Sequence, residues 1–297
     1  MPEFLNEGDV LVVNRSRVLP ARLLGTLESG KEAEVFYLFP EPDEPNTFRA
    51  LVRPGRKLKL NAVVTLGPNE RCRVLGVHPD GARTMRFEGA ADIVDVLQTM
   101  GHLPLPPYID RADEPLDRER YQTIYAQEPG SVAAPTAGLH FTEGVLKRLR
   151  DKGVIVAEIM LHVGPGTFAR VDAEEVADHH VPPETTFVPE ETAEAYARAR
   201  EAGRRIVAVG TTSVRTLESR VREKRLQSGA GATDLVLCPG HRFQAVDAMV
   251  TNFHLPKSSL LFLVSAFAGR ENILTAYAEA IREQYRFYSY GDAMLIL

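Results

Sequence analysis

"RIVAVGTTSVRTLES", residues 205–219, contains the clearest strand-to-helix pattern in this chain. The apolar run that begins at Ile206 predicts a buried strand, and Gly210 ends it. The residues from Thr211 onward predict a helix. A buried strand that leads through a glycine into a helix is typical of α/β domains with parallel strands.

The same alternation continues on both sides of this stretch. Helices are predicted from "GVLKRLRDKG" (144–153, with Thr142 as N-cap), "EETAEAYARAREAG" (190–203) and "RENILTAYAEAIREQY" (270–285). Strands are predicted from "VIVAEIML" (154–161), "TDLVLC" (233–238) and the apolar run 260–268. We therefore predict an α/β domain with a mainly parallel sheet.

Residues 18–90 have a different pattern. "EVFYLF", "TFRALV", "KLKLNAVVTL" and "RCRVLGVH" alternate or are β-branched, and Pro/Gly turns separate them. Strands this short at close spacing favour a small closed β-barrel or a sandwich. The predicted organisation is an α/β domain of residues 1–17 and 91–297, with a β-barrel domain of residues 18–90 inserted into it.

Composition excludes several functional classes. The net charge of −5 and the pI of about 6.0 argue against general binding of nucleic acid through phosphates, although basic clusters such as Arg53/Arg56/Lys57/Lys59 occur. No apolar run reaches the ~18 residues of a membrane span, and the two cysteines predict neither a disulfide framework nor a metal site. Without a signal-peptide pattern at Met1, the expected location is the cytoplasm.

Hydroxyl groups and an arginine follow the strand of the opening stretch. Thr211, Thr212 and Ser213 open the helix, and Arg215 lies within its first turns. Free amides at a helix start, together with these side chains, predict a site for a carboxylate or a phosphate. Plain N-capping is the alternative, because Thr and Ser are favoured caps. The glycine and lysine spacing of a P-loop is absent.

Further polar residues cluster in "AAPTAGLHFT" (133–142), "LHVGPGTF" (161–168) and "VTNFHLPKSS" (250–259). The candidate site residues there are Thr136, Gly138, His140, His162, Gly164, Gly166, Thr167, Asn252, Phe253, His254 and Lys257. The three histidines suit acid–base chemistry, because imidazole titrates near neutral pH. Their spacing and the lack of an acidic ligand set do not support a metal site, and no metal is predicted.

The longer motifs extend over nearly the whole chain in order. They are "DVLVVNRSRVLPARLLG", "GHLPLPPYIDR", "YQTIYAQEPGSVAAPTAGLHF", "LHVGPGTF", "VGTTSVRTLES", "VDAMVTNFHLPKSSLLFLVSAFAGRENI" and "YRFYSYGDAMLIL". With these motifs the chain resembles the S-adenosylmethionine:tRNA ribosyltransferase-isomerase family of queuosine biosynthesis. The resemblance implies an α/β domain interrupted by a β-barrel, which agrees with the patterns above.

The resemblance also implies an activity. The ribosyl portion of S-adenosylmethionine, a cosubstrate that is consumed, moves onto the 7-aminomethyl-7-deazaguanine base in a tRNA anticodon loop. The products are epoxyqueuosine-tRNA, adenine and methionine. A monomer that binds tRNA and S-adenosylmethionine, with no membrane association, is expected.

We assign roles to the candidate residues as our own hypotheses. The helix start from Thr211 to Arg215 holds the methionine carboxylate, and residues 164–167 approach the adenosine, with Thr136 and Gly138 also in the cosubstrate site. One of His140, His162 and His254 is the general base. Asn252, Phe253 and Lys257 contact the tRNA substrate, with Phe253 as a stacking candidate, although a core position is its alternative.

Two departures from the family pattern leave alternatives open. The chain starts almost at "LNEGDVLVVN", where the family usually has several tens of preceding residues. In the segment "HHVPPETT" (179–186), a proline replaces the histidine of the family's Met-His-Ser-Glu motif, while Glu184 is kept. A tRNA-binding protein without turnover is therefore one alternative. A phosphate-handling transferase that uses the Thr211 helix start is another.

Overall fold

The computed structural model describes residues 1–42, 44–106, 108–164, 166 and 179–297. The chain forms two compact units, one of residues 1–17 and 120–297 and the other of residues 18–119. None of the helices in these described ranges combines the length and the hydropathy that a membrane span requires.

The first unit is built on a seven-stranded sheet. In chain order its strands are β1 (Val10–Asn14), β10 (Ile155–Leu161), β11 (Glu184–Val188), β12 (Ile206–Val209), β15 (Gly229–Thr233), β16 (Ala248–Asn252) and β17 (Ala293–Ile296). Their order across the sheet is β15-β11-β10-β1-β12-β16-β17. The four central strands β10, β1, β12 and β16 are parallel, and the outer strands pair antiparallel. The sheet is thus mixed, with a parallel centre that the buried apolar strand patterns predicted.

Helices cover this sheet. They are α3 (Glu143–Asp151), α4 (Glu190–Glu201), α5 (Thr211–Arg220), α6 (Ser259–Ala268) and α7 (Arg270–Arg282), with 3-10 helices at Pro2–Phe4 and Thr136–His140. The predicted N-cap is confirmed, because the side chain of Thr142 accepts a hydrogen bond from the amide of Val145. Short strands β2 (Ser16–Val18), β9 (Glu128–Ser131), β13 (Val221–Arg222) and β14 (Arg225–Leu226) complete the elements of this part.

The second unit is a closed barrel. Its strands are β3 (Arg22–Leu27), β4 (Glu32–Pro40), β5 (Thr47–Arg53), β6 (Val63–Thr65), β7 (Arg71–Val77) and β8 (Arg83–Glu88), and helices α1 (Ile93–Met100) and α2 (Asp117–Arg120) follow. The strands pair around the barrel in the order β3-β4-β5-β8-β7-β6. The predicted fold class, an α/β domain with an inserted β-barrel, is confirmed. Closure of the barrel leaves no unpaired strand edge.

Residues 91–119 lie in the compact unit of the barrel, whereas the sequence pattern placed the division at residue 90. Arg22 and His102 exchange backbone hydrogen bonds of 3.1 and 2.8 Å. The guanidinium of Arg118 donates to the carbonyl of Gly101 at 2.8 Å. The bonds of Arg22 join the segment to strand β3 of the barrel, whereas the bond of Arg118 links two parts of the segment itself. Both connect residues too far apart in sequence to be read from local patterns.

Two strand predictions are wrong. The apolar run 260–268 is helix α6, which Ser258 caps by accepting from the amide of Leu261. The segment "TDLVLC" contains only the end of β15, whose residues Gly229–Thr233 have low strand propensity. Pairing with β11 along five residues overrides that propensity, while Leu237 reaches the core from irregular backbone.

Candidate functional site

The parallel strands of the sheet end at one edge, and polar side chains collect there. The last residues of β1 and β16 are Asn14 and Asn252, both nearly fully buried at 0% and 3% exposure. Buried amides require hydrogen-bond partners, and both have them. In open α/β sheets this edge is where ligands bind.

Asn252 joins the strand end to the 3-10 helix Thr136–His140. Its Oδ1 accepts from the hydroxyl of Thr136 at 3.0 Å, and its Nδ2 lies 3.2 Å from Nε2 of His140. In this arrangement the amide donates to Nε2, so a neutral His140 carries its proton on Nδ1. The structure thus brings together three of the predicted site residues, 112–116 positions apart along the chain.

This contact bears on the predicted role of His140. Because Nε2 accepts a hydrogen bond from Asn252, that nitrogen is not free to abstract a proton. Burial lowers the pKa of His140, the carboxylate of Asp292 opposes this shift and the guanidinium of Arg286 adds to it. A neutral ring with its proton on Nδ1 is a hydrogen-bond donor rather than a base.

His162 follows β10 directly, and its ring lies against the backbone of β9. A Cβ added at Gly130 would be 2.5 Å from ring atoms of His162, so the glycine is required for this close approach. Nδ1 of His162 is buried and has no hydrogen-bond partner among the residues that the structure describes. Burial lowers the pKa of His162, and the charge of Glu128 opposes the shift. The imidazole is therefore neutral at pH 7.

His254 has a partner of its own. Its Nε2 lies 2.8 Å from the hydroxyl of Thr251, and its amide donates to the hydroxyl of Tyr277 at 2.8 Å. Burial lowers the pKa of His254 to about 4. An imidazole with so low a pKa is a weak base, which makes it the least suitable of the three histidines for proton abstraction.

The low pKa of His254 predicts a pH dependence of stability. A histidine whose pKa falls from about 6.5 unfolded to about 4 folded stabilises the protein above pH 6.5, and this contribution is lost as the pH falls toward 4. Between pH 7 and pH 5 we expect the wild type to lose about 2 kcal/mol more unfolding free energy than His254→Gln. Urea denaturation of both proteins at the two pH values measures the difference, and parallel losses would contradict the assignment.

Helix α5 begins at the same edge. Gly210 has a φ of 84° and donates its amide to the carbonyl of Val250 at 2.8 Å, and a Cβ there would lie 3.6 Å from that of Ala137. The amides of Thr211, Thr212 and Ser213 form the first turn beside the 3-10 helix. The hydroxyl of Ser213 is fully buried and donates to the carbonyl of Val209 at 2.8 Å, so it is a local structural group and not a free ligand donor.

Arg215 was predicted to bind the methionine carboxylate, but its partner within the protein is the carboxylate of Glu184. Its Nη1 forms an ion pair with Oε2 of Glu184, and its Nε donates to the carbonyl of Leu235 at 3.0 Å. The other carboxylate oxygen of Glu184 accepts from the amide of Gly164 at 2.7 Å. Arg215 is 9% exposed and Glu184 7%. We therefore correct the role of Arg215: it holds Glu184, which in turn holds the backbone at Gly164.

Sequence reasoning missed two residues that connect these segments. Nδ2 of Asn14 donates to the carbonyl of Leu161 at 3.0 Å and to the hydroxyl of Thr212 at 3.4 Å. Ser131 accepts from the amide of Val163 at 2.9 Å. The signal for Asn14 was present, since a polar residue ends the apolar strand "VLVVN", and buried amides near a strand end need a partner.

Gly138 is required by the packing beneath the 3-10 helix. A Cβ there would overlap the hydroxyl of Tyr125 and would lie 2.6 Å from Cγ2 of Thr123. Both of these side chains are buried, so the helix that carries His140 would have to shift. Packing against Tyr125 and Thr123 is therefore sufficient to explain why this position is a glycine. The contact of Gly138 with the cosubstrate stays a prediction.

We expect Gly138→Ala to lower the unfolding free energy by about 1–3 kcal/mol, as overpacking usually does, and to reduce turnover because His140 is displaced. Gly144→Ala is the matched control, since a Cβ there meets nothing closer than 3.9 Å and lies in helix α3. This control should be stabilised by about 0.5–1 kcal/mol. Equal stability of the two variants in thermal unfolding would refute the packing argument.

The remaining predicted residues are less closely tied to the site. Phe253 is 5% exposed and packs against the rings of Tyr277 and Phe287 at 5.3 and 5.0 Å, so it is a core residue with no face for a stacked base. Lys257 is exposed, with a φ of 57°. A Cβ at Gly166 would lie 3.2 Å from Pro182 Cδ. Thr167 lies outside the described residues.

Metal sites in proteins are built from clusters of histidine, cysteine, aspartate or glutamate side chains. No cluster of three or more histidine, cysteine, aspartate or glutamate side chains in the described ranges is arranged to hold a metal ion. The chemistry of this edge is carried by amides, hydroxyls and imidazoles, with one buried ion pair.

Comparison with known proteins places the chain in a family. A family model described as queuosine biosynthesis protein matches residues 1–296. The chain belongs to this family of queuosine biosynthesis proteins.

Named relatives agree with this assignment. The chain is 50% identical to proteins of Desulfitobacterium hafniense and Moorella thermoacetica, each named S-adenosylmethionine:tRNA ribosyltransferase-isomerase, over 100% of this chain and 87% of each relative. It is also similar to the crystal structure of S-adenosylmethionine tRNA ribosyltransferase from Thermotoga maritima, with 36% identity and a TM-score of 0.52, over 100% of this chain and 85% of that one.

Proposed function

We propose that the chain is an S-adenosylmethionine:tRNA ribosyltransferase-isomerase. It transfers and isomerises the ribosyl portion of S-adenosylmethionine onto the 7-aminomethyl-7-deazaguanine base of tRNA. The observation that carries the proposal is the 50% identity to proteins of that name over the full length of this chain. The polar groups at the strand ends supply what the reaction needs.

His162 is the general base in this proposal. The sulfonium of S-adenosylmethionine acidifies the neighbouring ribose methylene, and a base that removes this proton forms an ylide. Among the three histidines, His140 accepts from Asn252 and His254 is bound to Thr251. The ring of His162 is only partly buried as a whole, and neither of its nitrogens has a hydrogen-bond partner among the described residues. A neutral imidazole of lowered pKa is already in the basic form at pH 7.

In this proposal His140 contacts the adenine end of the cosubstrate, and the start of helix α5 binds its methionine end. A neutral His140 donates from Nδ1, which assists adenine as it leaves with the electrons of the glycosidic bond. The first-turn amides of α5 and the hydroxyls of Thr211 and Thr212 hold the methionine carboxylate. Methionine departs when its carbon–sulfur bond breaks and the epoxide closes. The backbone at Gly164, which Glu184 holds, approaches the adenosine.

Other parts of the proposal concern partners. S-adenosylmethionine is a consumed cosubstrate, and no metal is assigned to any step. The tRNA anticodon loop is the second substrate, with the exposed Lys257 as a contact, while Asn252 positions Thr136 and His140. The chain acts as a monomer in the cytoplasm.

Adenine release tests this function directly. We expect adenine to form when the protein is incubated with S-adenosylmethionine and tRNA that carries the aminomethyl base, and not with the same tRNA carrying guanine. Binding of the modified tRNA without adenine release would instead favour the protein without turnover. Release that is independent of tRNA would overturn the proposal.

A further inference from the structure

A group of exposed cations occupies one set of loops in the barrel. From residue 45 to residue 69 the chain contains no aspartate or glutamate, but it contains Arg49, Arg53, Arg56, Lys57 and Lys59. Arg49 pairs with Glu41 at 3.0 Å. The other four are exposed and follow or end β5, and we call them, together with Lys31, the basic platform.

Lys31 joins this group from the turn between β3 and β4. The register of the barrel places Arg53 opposite Glu34, three residues beyond Lys31 on the neighbouring strand. Lys31 lies close to Lys57, and its proximity lowers the pKa of Lys57. Two like charges held this close are a favourable place for an anion.

The nearest carboxylate does not neutralise the platform. Both oxygens of Glu34 are bound by Arg22, with Nε–Oε1 of 3.0 Å and Nη2–Oε2 of 3.1 Å. In the described ranges, no residue of the basic platform lies within ion-pair distance of an acidic side chain. Charge is therefore concentrated here although the chain as a whole has a net charge of −5.

A buried arginine holds the platform in place. Arg83 is 7% exposed, and its guanidinium donates to the carbonyls of Leu58 and Gly55 at 2.7 and 2.8 Å. It also donates to the carbonyl of Ala82 at 3.1 Å. Two turns close the same segment, from Lys57 N to Pro54 O and from Ala62 N to Lys59 O. The cations stand on an organised backbone, so binding does not have to order the loop first.

We propose that the basic platform binds the phosphate backbone of the tRNA substrate. The cations come from two loops, the turn that carries Lys31 and the segment that ends and follows β5. Several exposed cations on two loops suit a chain of phosphates better than a single small anion. The contact carries no base readout, so it adds affinity without sequence preference. This inference rests on the proposed function, because it assumes that tRNA is the substrate.

The test is the salt dependence of tRNA binding by Lys57→Gln/Lys59→Gln in the full chain. Each lost phosphate contact lowers the slope of log K against log salt by about 1, so we expect the slope to fall by about 2 and the affinity at low salt to fall roughly ten-fold or more. In the adenine-release assay the change should appear in KM for tRNA and not in KM for S-adenosylmethionine.

Arg198→Gln/Arg270→Gln is the matched control. It removes the same charge from two exposed arginines on α4 and α7 that pair with Glu194 and Glu271. We expect its salt slope to equal that of the wild type. If both double variants reduce the slope alike, or neither does, the basic platform is not an RNA contact. Binding is measured without turnover, so a failed proposed function would show separately, as absent adenine release.

Discussion

His162→Gln should lower kcat for adenine release by about 10²–10⁴-fold, with KM for S-adenosylmethionine nearly unchanged. Glutamine keeps a polar side chain of similar size beside Gly130 but cannot take up a proton at neutral pH. The wild type should lose activity as the pH falls through the pKa of His162, which burial places below the ordinary value of about 6.5. The variant should lack this acidic limb.

The control for this experiment is His78→Gln, which changes a histidine of the barrel that bonds to Thr84. It should retain the full rate and the acidic limb. Turnover of His162→Gln within ten-fold of the wild type would show that another group is the base. His140 would then be the next to test, because displacement of Asn252 on binding would free its Nε2.

Glu184→Ala should lower the free energy of unfolding by about 3–5 kcal/mol, because it leaves the guanidinium of Arg215 buried without its charge partner. The amide of Gly164 loses its acceptor in the same change. We also expect weaker binding of S-adenosylmethionine, since the backbone proposed to approach the adenosine is no longer held. Denaturant unfolding and calorimetric titration measure the two effects.

A surface ion pair provides the comparison. Lys147 and Asp151 on α3 are 75% and 59% exposed in their side chains, so Asp151→Ala should cost no more than about 1 kcal/mol. The double variant Glu184→Gln/Arg215→Gln should lose less unfolding free energy than the sum of the losses of the two single variants. We expect the difference, which is the coupling energy of the pair, to be about 0.5–3 kcal/mol. Additive losses, or a loss below about 1 kcal/mol in Glu184→Ala, would mean that the buried pair does not hold this part of the fold.

Several elements could be read from short-range signals. The Thr142 cap, the strand before Gly210 and the helices α4 and α7 depend on residues within a few positions of each other, and propensity and periodicity describe such interactions. The positions of the polar segments at strand ends could be read in the same way, because polar residues directly follow or end the buried strand patterns. Their assignment to a ligand site stays a prediction.

The partners of the site residues could not be read in this way. The ion pair of Arg215 with Glu184 joins positions 31 apart, and the contact of Asn252 with His140 joins positions 112 apart. The sequence shows that the candidate segments contain an arginine and three histidines. It does not show which of their nitrogens already has a hydrogen-bond partner within the protein. For the same reason the sequence left Phe253 open between a stacking residue and a core residue, and its packing against the rings of Tyr277 and Phe287 places it in the core.

The alternation of strand and helix, the barrel-like β segment and the positions of the polar clusters could be predicted from the amino-acid sequence. Folding was needed to show that residues 260–268 form a helix and that a strand of small residues pairs with β11. It was also needed to show that Nδ1 of His162 is buried without a hydrogen-bond partner among the described residues. The reason is physical: backbone propensity and capping act between neighbours in the chain, whereas burial, pairing and hydrogen bonding in the core act between residues that only folding brings together.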